Sequence, residues 1–198
     1  MFIKSIKNNL KLTNNMKKVT LLLGMAMGVL AFTTNAQTVT VGSEAMYPTK
    51  NIVENAVNSK SHTTLVAAVK AAGLVETLQS KGPFTVFAPV NDAFENLPAG
   101  TVETLLKPEN KATLTKVLTY HVVAGKMDYN DIAKAIKAGG GKVTMKTVSG
   151  GTLTAMMNGM HNIVLKDEGG NMANITTYDV NQSNGVIHVI DAVVLPKM

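Results

Sequence analysis

Cysteine, tryptophan and arginine are absent from the 198 residues, and only 5% of the residues are aromatic. Without cysteine there can be no disulfide, no thiolate nucleophile, no lipid anchor on a cysteine and no mixed Cys–His zinc site, so the core alone must hold the chain together. Without arginine, and with few rings, the forked donors and stacking platforms used on nucleic acids are missing, and no nucleic-acid partner is expected. The net charge of +6 does not change this. Five lysines (Lys4, Lys7, Lys11, Lys17, Lys18) fall in residues 1–36, which contain no acid, and the rest of the chain carries 14 lysines against 13 acids.

Those five lysines precede the apolar run Val19–Phe32 and the small-residue exit Thr34-Asn35-Ala36, the order of a secretory signal peptide cleaved before Gln37. The run is about fourteen residues, roughly 21 Å as a helix, short of the roughly 30 Å hydrocarbon core, so no integral membrane segment is expected after cleavage. Met16-Lys17-Lys18 makes an alternative start, with residues 1–15 an upstream extension. The expected organisation is a signal peptide over 1–36, a leader over 37–47 and one domain over 48–198, in a protein that is secreted or periplasmic, or associated with the cell surface.

The first half of the domain reads as helical. Asn51 is placed to cap a short helix from Ile52, and Ser61 or Thr63 to cap another whose face is Leu65, Ala68, Val69 and Ala72 and whose stop is Gly73. Gly82-Pro83 introduces a strand over 84–88. Asn91 and Asp92 follow as a cap and an acidic first turn, and Thr101 as a further cap. Leu114, Val117, Leu118 and His121 share one helical stripe that gives way to strand at Tyr120-His121-Val122-Val123. Asp128 caps the last helix, which carries Ile132 and Ile136.

From Lys142 onward, turn signals recur about every ten residues, the pattern of an antiparallel meander. The final stretch, Asn184 to Pro196, opens on Asn-Gly, the dipeptide suited to a tight hairpin, and continues with mostly β-branched apolar residues that read as a central strand covered on both faces. His188 and Asp191 fall on its opposite faces. The fold class is therefore α+β, an antiparallel sandwich or wedge of about seven strands with helices packed at one side.

The chemistry-bearing residues carry no sequence pattern of an enzyme. No two of the four histidines share metal-ligand spacing on one element, and no nucleophile or phosphate-binding motif is present. No catalytic residue and no cofactor is expected. Met157, Met160 and His161, with Met156 and Met172 nearby, are soft groups that suit Cu(I), but methionine filling core gaps on a hairpin is the preferred reading.

Three ordered segments resemble the fasciclin-domain family. Phe84-Thr85-Val86-Phe87-Ala88-Pro89-Val90-Asn91-Asp92-Ala93-Phe94 is similar to its first block, Tyr120-His121-Val122-Val123 to its central Tyr-His motif, and Asn184–Pro196 to its second block. The resemblance covers about residues 48–196. It implies a wedge-shaped β-sandwich with a helical lobe, no catalysis, and a secreted or surface module of adhesion or matrix proteins whose partner is a cell-surface or matrix protein or glycan. In animal members, adhesion is assigned to the Tyr-His region and to an acidic motif before the second block, of which only Asp179 survives here. The resemblance thus points to Tyr120, His121, Tyr178, Asp179 and Val180 as partner-binding residues, and to Asn91, Asp92, His121, Asn184, Gly185 and His188 as structural ones, with His121 expected to bond the Asp92 region. The alternative function is carriage of an apolar ligand such as a carotenoid, which the methionines after residue 36 would suit.

Overall fold

A computed structural model describes residues 38–197. The basic, apolar N-terminal segment and its expected cleavage site lie outside these residues. The stretch expected to be a leader forms a hairpin instead, β1 (Val39–Val41) with β2 (Glu44–Met46). Its two-residue turn, Gly42-Ser43, has φ of 59° and 68°, the left-handed pair whose twist matches a hairpin. Val41 and Met46 are buried against Ile52 and Val86, so the hairpin belongs to the core.

Helix α1 (Ile52–Ala56) begins at the expected Asn51, in a capping box with Glu54. Helix α2 (Thr63–Ala72) follows a 3-10 turn and stops at Gly73, φ 74°, where the Leu74 N–H donates back to the Val69 carbonyl. Neither Ser61 nor Thr63 caps it. That role falls to Asn91, whose Oδ1 accepts from the Thr64 N–H at 3.1 Å, a contact between segments that sequence spacing cannot show. Helix α3 (Val75–Gln79) completes this layer.

Strand β3 (Phe84–Pro89) leads to helices α4 (Asn91–Glu95), α5 (Thr101–Leu105) and α6 (Lys111–Tyr120), then to strand β4 (Val122–Ala124) and helix α7 (Tyr129–Ala138). The α5 cap is Gly100 in the left-handed region, not Thr101. Asp128 caps α7 with Asp131 in a second capping box. The meander is β5 (Lys142–Lys146), β6 (Thr152–Asn158), β7 (Asn162–Lys166), β8 (Met172–Gln182) and β9 (Gly185–Ile190).

Seven strands form one sheet in the order β4-β3-β9-β8-β7-β6-β5. One correction concerns direction: β3 and β9 run parallel, from Phe84 beside Gly185 to Pro89 beside Ile190, so the sheet is mixed. A strand donated by the helical half has no hairpin to force it antiparallel. The two ends of the sheet approach each other through a Val123–Thr147 bridge and a Val148 N–H bond to the Val122 carbonyl at 2.8 Å, giving a barrel-like sandwich. Phe87, Leu153, Leu165 and Ile190 fill its interior and α7 covers it with Ile132 and Ile136. The other face of β3 and β9, Val86, Ala88, Ile187 and Val189, lies under the hairpin and the helices. Strand β9 is thus covered on both faces.

Candidate functional site

The Tyr-His junction lies inside the protein. Tyr120 is 0% exposed; its hydroxyl donates to the Thr152 carbonyl at 2.5 Å and accepts from the Glu168 N–H at 3.2 Å, and burial pushes it up to about 12. It pins the end of α6 to the start of β6 and to the turn after β7. His121 is buried beside it, with Nδ1 donating to the Val117 carbonyl at 2.8 Å and Nε2 accepting from the Val194 N–H at 3.3 Å. A carbonyl can only accept, which places the proton on Nδ1. Burial lowers this ring to about 4, so it is neutral at physiological pH. Two expectations are corrected. Tyr120 and His121, with the equally buried Val180, present no surface to a partner, and His121 ties α6 to the segment after β9, not to the Asp92 region.

Tyr178 and Asp179 are different. Strand β8 departs from regular register between Ile175 and Val180, and Asp179 takes φ 56°. That conformation is uncommon outside glycine, though aspartate tolerates it better than most residues. It turns the carboxylate onto the Tyr129 N–H at 2.7 Å, at the start of α7, where the helix dipole favours an anion. The Asp179 N–H donates to His188 Nδ1 at 3.3 Å, while Nε2 of that ring donates to the Met127 carbonyl at 2.9 Å. His188 is fully buried and stacks on Phe87 at 5.7 Å; Tyr178 meets it edge-on and meets Tyr129 edge-on at 5.0 Å. Burial lowers His188 and raises Tyr178. The half-buried Tyr129, Tyr178 and Asp179 form one small surface at this end of the barrel.

The asparagines of the two family blocks act as ties between segments. Asn91 is the first residue of α4, where it makes no cap to its own helix; its amide accepts from Thr63 Oγ1 and donates to the Lys60 carbonyl. Asp92 is exposed in that first turn. Asn184 accepts from the Ile52 N–H at 3.0 Å and donates to the Leu78 and Ser80 carbonyls, both at 2.8 Å, so one buried amide holds the start of α1 and the end of α3. Gly185 is not in the left-handed region, contrary to the Asn-Gly turn reading. It is required by close approach, because a Cβ there would run into the Phe84 carbonyl of the parallel neighbour.

The methionine cluster is divided. Met157 packs against the barrel core, whereas Met160 is 86% exposed at the hairpin tip beside the exposed His161. Among the described residues no three His, Asp or Glu side chains gather as a metal set, and no helix is long and apolar enough to cross a membrane.

Sequence reasoning passed over a cavity between the helices and the outer face of β3 and β9. It measures about 110 Å³ and is walled by apolar side chains including Val41, Met46, Ile52, Leu78 and Ile187. His62 joins the wall; its Nδ1 lies 2.8 Å from the buried Ser59 hydroxyl and its buried Nε2 has no hydrogen-bond partner. Burial lowers this ring too; the Ala88 carbonyl is near enough to oppose that shift but does not meet hydrogen-bond geometry. The only local signal was the Ser-x-x-His spacing.

A mixed barrel-like sheet carrying a helical layer, with its ties at Asn91, Tyr120 and Asn184, defines a non-repeating α+β domain. The Fasciclin domain family profile matches residues 60–196, and the chain belongs to that family. It is 44% identical to "Protein sll1483" of a Synechocystis species over 186 residues, covering 90% of this chain and 94% of that protein. It is 36% identical to "Immunogenic protein MPB70" of Mycobacterium bovis, covering 71% of this chain and 66% of that one. With the pig "Transforming growth factor-beta-induced protein ig-h3" it shares 35% identity over 67% of this chain but only 17% of that protein. The fold matches a domain pair from the insect cell adhesion molecule Fasciclin I with a TM-score of 0.65 at 17% identity, covering 74% of this chain and 51% of that one; this likeness speaks to the fold alone.

Proposed function

We propose that the protein is a non-catalytic, exported interaction module that binds a protein or glycan at a cell surface or in a matrix. The observation that carries this reading is the irregular stretch of β8, which holds Tyr178 and Asp179 half-exposed beside Tyr129. Aromatic rings fixed by packing give contact area at little entropic cost, which is why they anchor interfaces. A Mycobacterium bovis relative named "Cell surface glycolipoprotein MPB83", 32% identical over 160 residues, supports the class. Export rests on the lysine-rich, apolar N-terminal segment. The test is attachment of cells and matrix glycans to a surface coated with the protein: retention above an albumin control is expected, reduced several-fold in Tyr129→Ala assayed well below that variant's own melting temperature. No retention of any cell or glycan would end the adhesion reading.

The cavity favours a second reading, carriage of an apolar ligand, since its wall is almost wholly hydrocarbon and lies at the junction of two layers. Protein purified from its native host should then carry a bound lipid or pigment, detected by visible absorbance or by organic extraction and mass spectrometry.

A further inference from the structure

Of the polar groups around the cavity, only one is left without a partner. His121 has both nitrogens bonded to backbone, and Lys70 and Thr77 are exposed. Ser59 is buried and its hydroxyl meets nothing but His62 Nδ1, so it donates its proton there. The ring's own proton therefore sits on Nε2, and that buried donor completes no hydrogen bond within the protein, since the nearby Ala88 carbonyl does not meet hydrogen-bond geometry. Leaving such a group unsatisfied is costly, and a ligand oxygen would remove that cost. The space constrains the ligand as well. An apolar cavity of about 150 Å³ admits a benzene ring, so the 110 Å³ here admits the first few carbons of a slender chain, the rest of which would lie along the cavity's open side, and nothing bulky.

We propose that this cavity holds a neutral, slender apolar molecule with one hydrogen-bond-accepting oxygen, which the Nε2–H of His62 binds. The proposal rests on the carrier reading above and specifies its ligand. Burial keeps the ring neutral at pH 7 and the one lysine of the lining, Lys70, is exposed, so no buried cation faces a carboxylate and the selection is for a carbonyl, ether or ester oxygen.

Titration calorimetry on residues 36–198, the compact unit of the chain, with decan-2-one, decane and decanoate as probes tests this. The ketone should bind about tenfold tighter than the alkane, the effect of one neutral hydrogen bond. His62→Phe should bind both alike and His62→Gln should keep part of the preference. In ¹⁵N-labelled protein the Nε2–H signal should move with decan-2-one and not with decane. Ketone and alkane binding equally to the unsubstituted protein, or no movement of that signal, overturns the His62 assignment and leaves carriage standing. Decanoate binding tighter than the ketone overturns the neutral ligand class. Failure of all three probes to bind removes the carrier reading and this inference with it. The unsubstituted protein and its ring signal decide the matter even where His62→Phe does not fold.

Discussion

His121 takes both of its ring bonds from backbone inside the core, and this makes the domain sensitive to acid. Its folded value of about 4 lies below its ordinary 6.5, and His62 and His188 are lowered in the same direction by burial. Above pH 6.5 both folded and unfolded chains hold these rings neutral. Below it the unfolded chain takes up protons that the folded chain refuses, so for His121 stability falls between about pH 6.5 and 4, by up to about 1.4 kcal/mol per pH unit, and His62 and His188 act in the same direction. The urea midpoint should accordingly be lower at pH 5 than at pH 7, and His121→Ala should flatten that dependence. The same substitution leaves a cavity and an unpaired Val194 N–H, a loss of about 3 kcal/mol, or about 6–12 °C in melting temperature by calorimetry. The helical stripe made the burial of His121 legible, because i, i+3, i+4, i+7 spacing put it in line with Leu114, Val117 and Leu118. Its partner was not legible, since Val194 is 73 residues away and offers only a backbone group.

At the level of elements, what the sequence hides is which segments meet. Helix limits were readable because capping side chains and left-handed glycines sit next to the turns they serve, as Asn51, Asp128 and Gly73 do. The Asn184-Gly185 pair carries no such local mark of its real work, which is to dock β9 against β3 and to hold α1 and α3. Two substitutions separate those tasks. Asn184→Ala removes three bonds, for a loss of about 3 kcal/mol, and hydrogen exchange should show α1 and α3 losing protection before β6 and β7 do. Gly185→Ala forces a Cβ into the Phe84 backbone, which has no flexible side chain to move aside. It should cost about 3 kcal/mol or more and loosen the β3–β9 pair first, read by the same exchange experiment.

At the level of the whole molecule, the hairpin at residues 39–46 packs into the core ahead of the residues that the sequence marks as the domain. A polar, β-branched stretch broken by Pro48 reads as a leader because its alternation is too short to register as a strand pair. The structure instead seats Val41 and Met46 over the β3–β9 face, in the wall of the cavity. Burying each such side chain is worth about 1.5–3 kcal/mol, so the pair contributes about 3–6 kcal/mol, a large share of the roughly 5–15 kcal/mol by which a domain is stable. A chain starting at Lys50 should unfold at a clearly lower urea concentration than one starting at Ala36. It should also lose affinity for decan-2-one, because one side of the cavity leaves with the hairpin. Equal urea midpoints for the two chains would make the hairpin an appendage, while a lowered midpoint with ketone affinity intact would move the binding surface onto the helices and sheet alone.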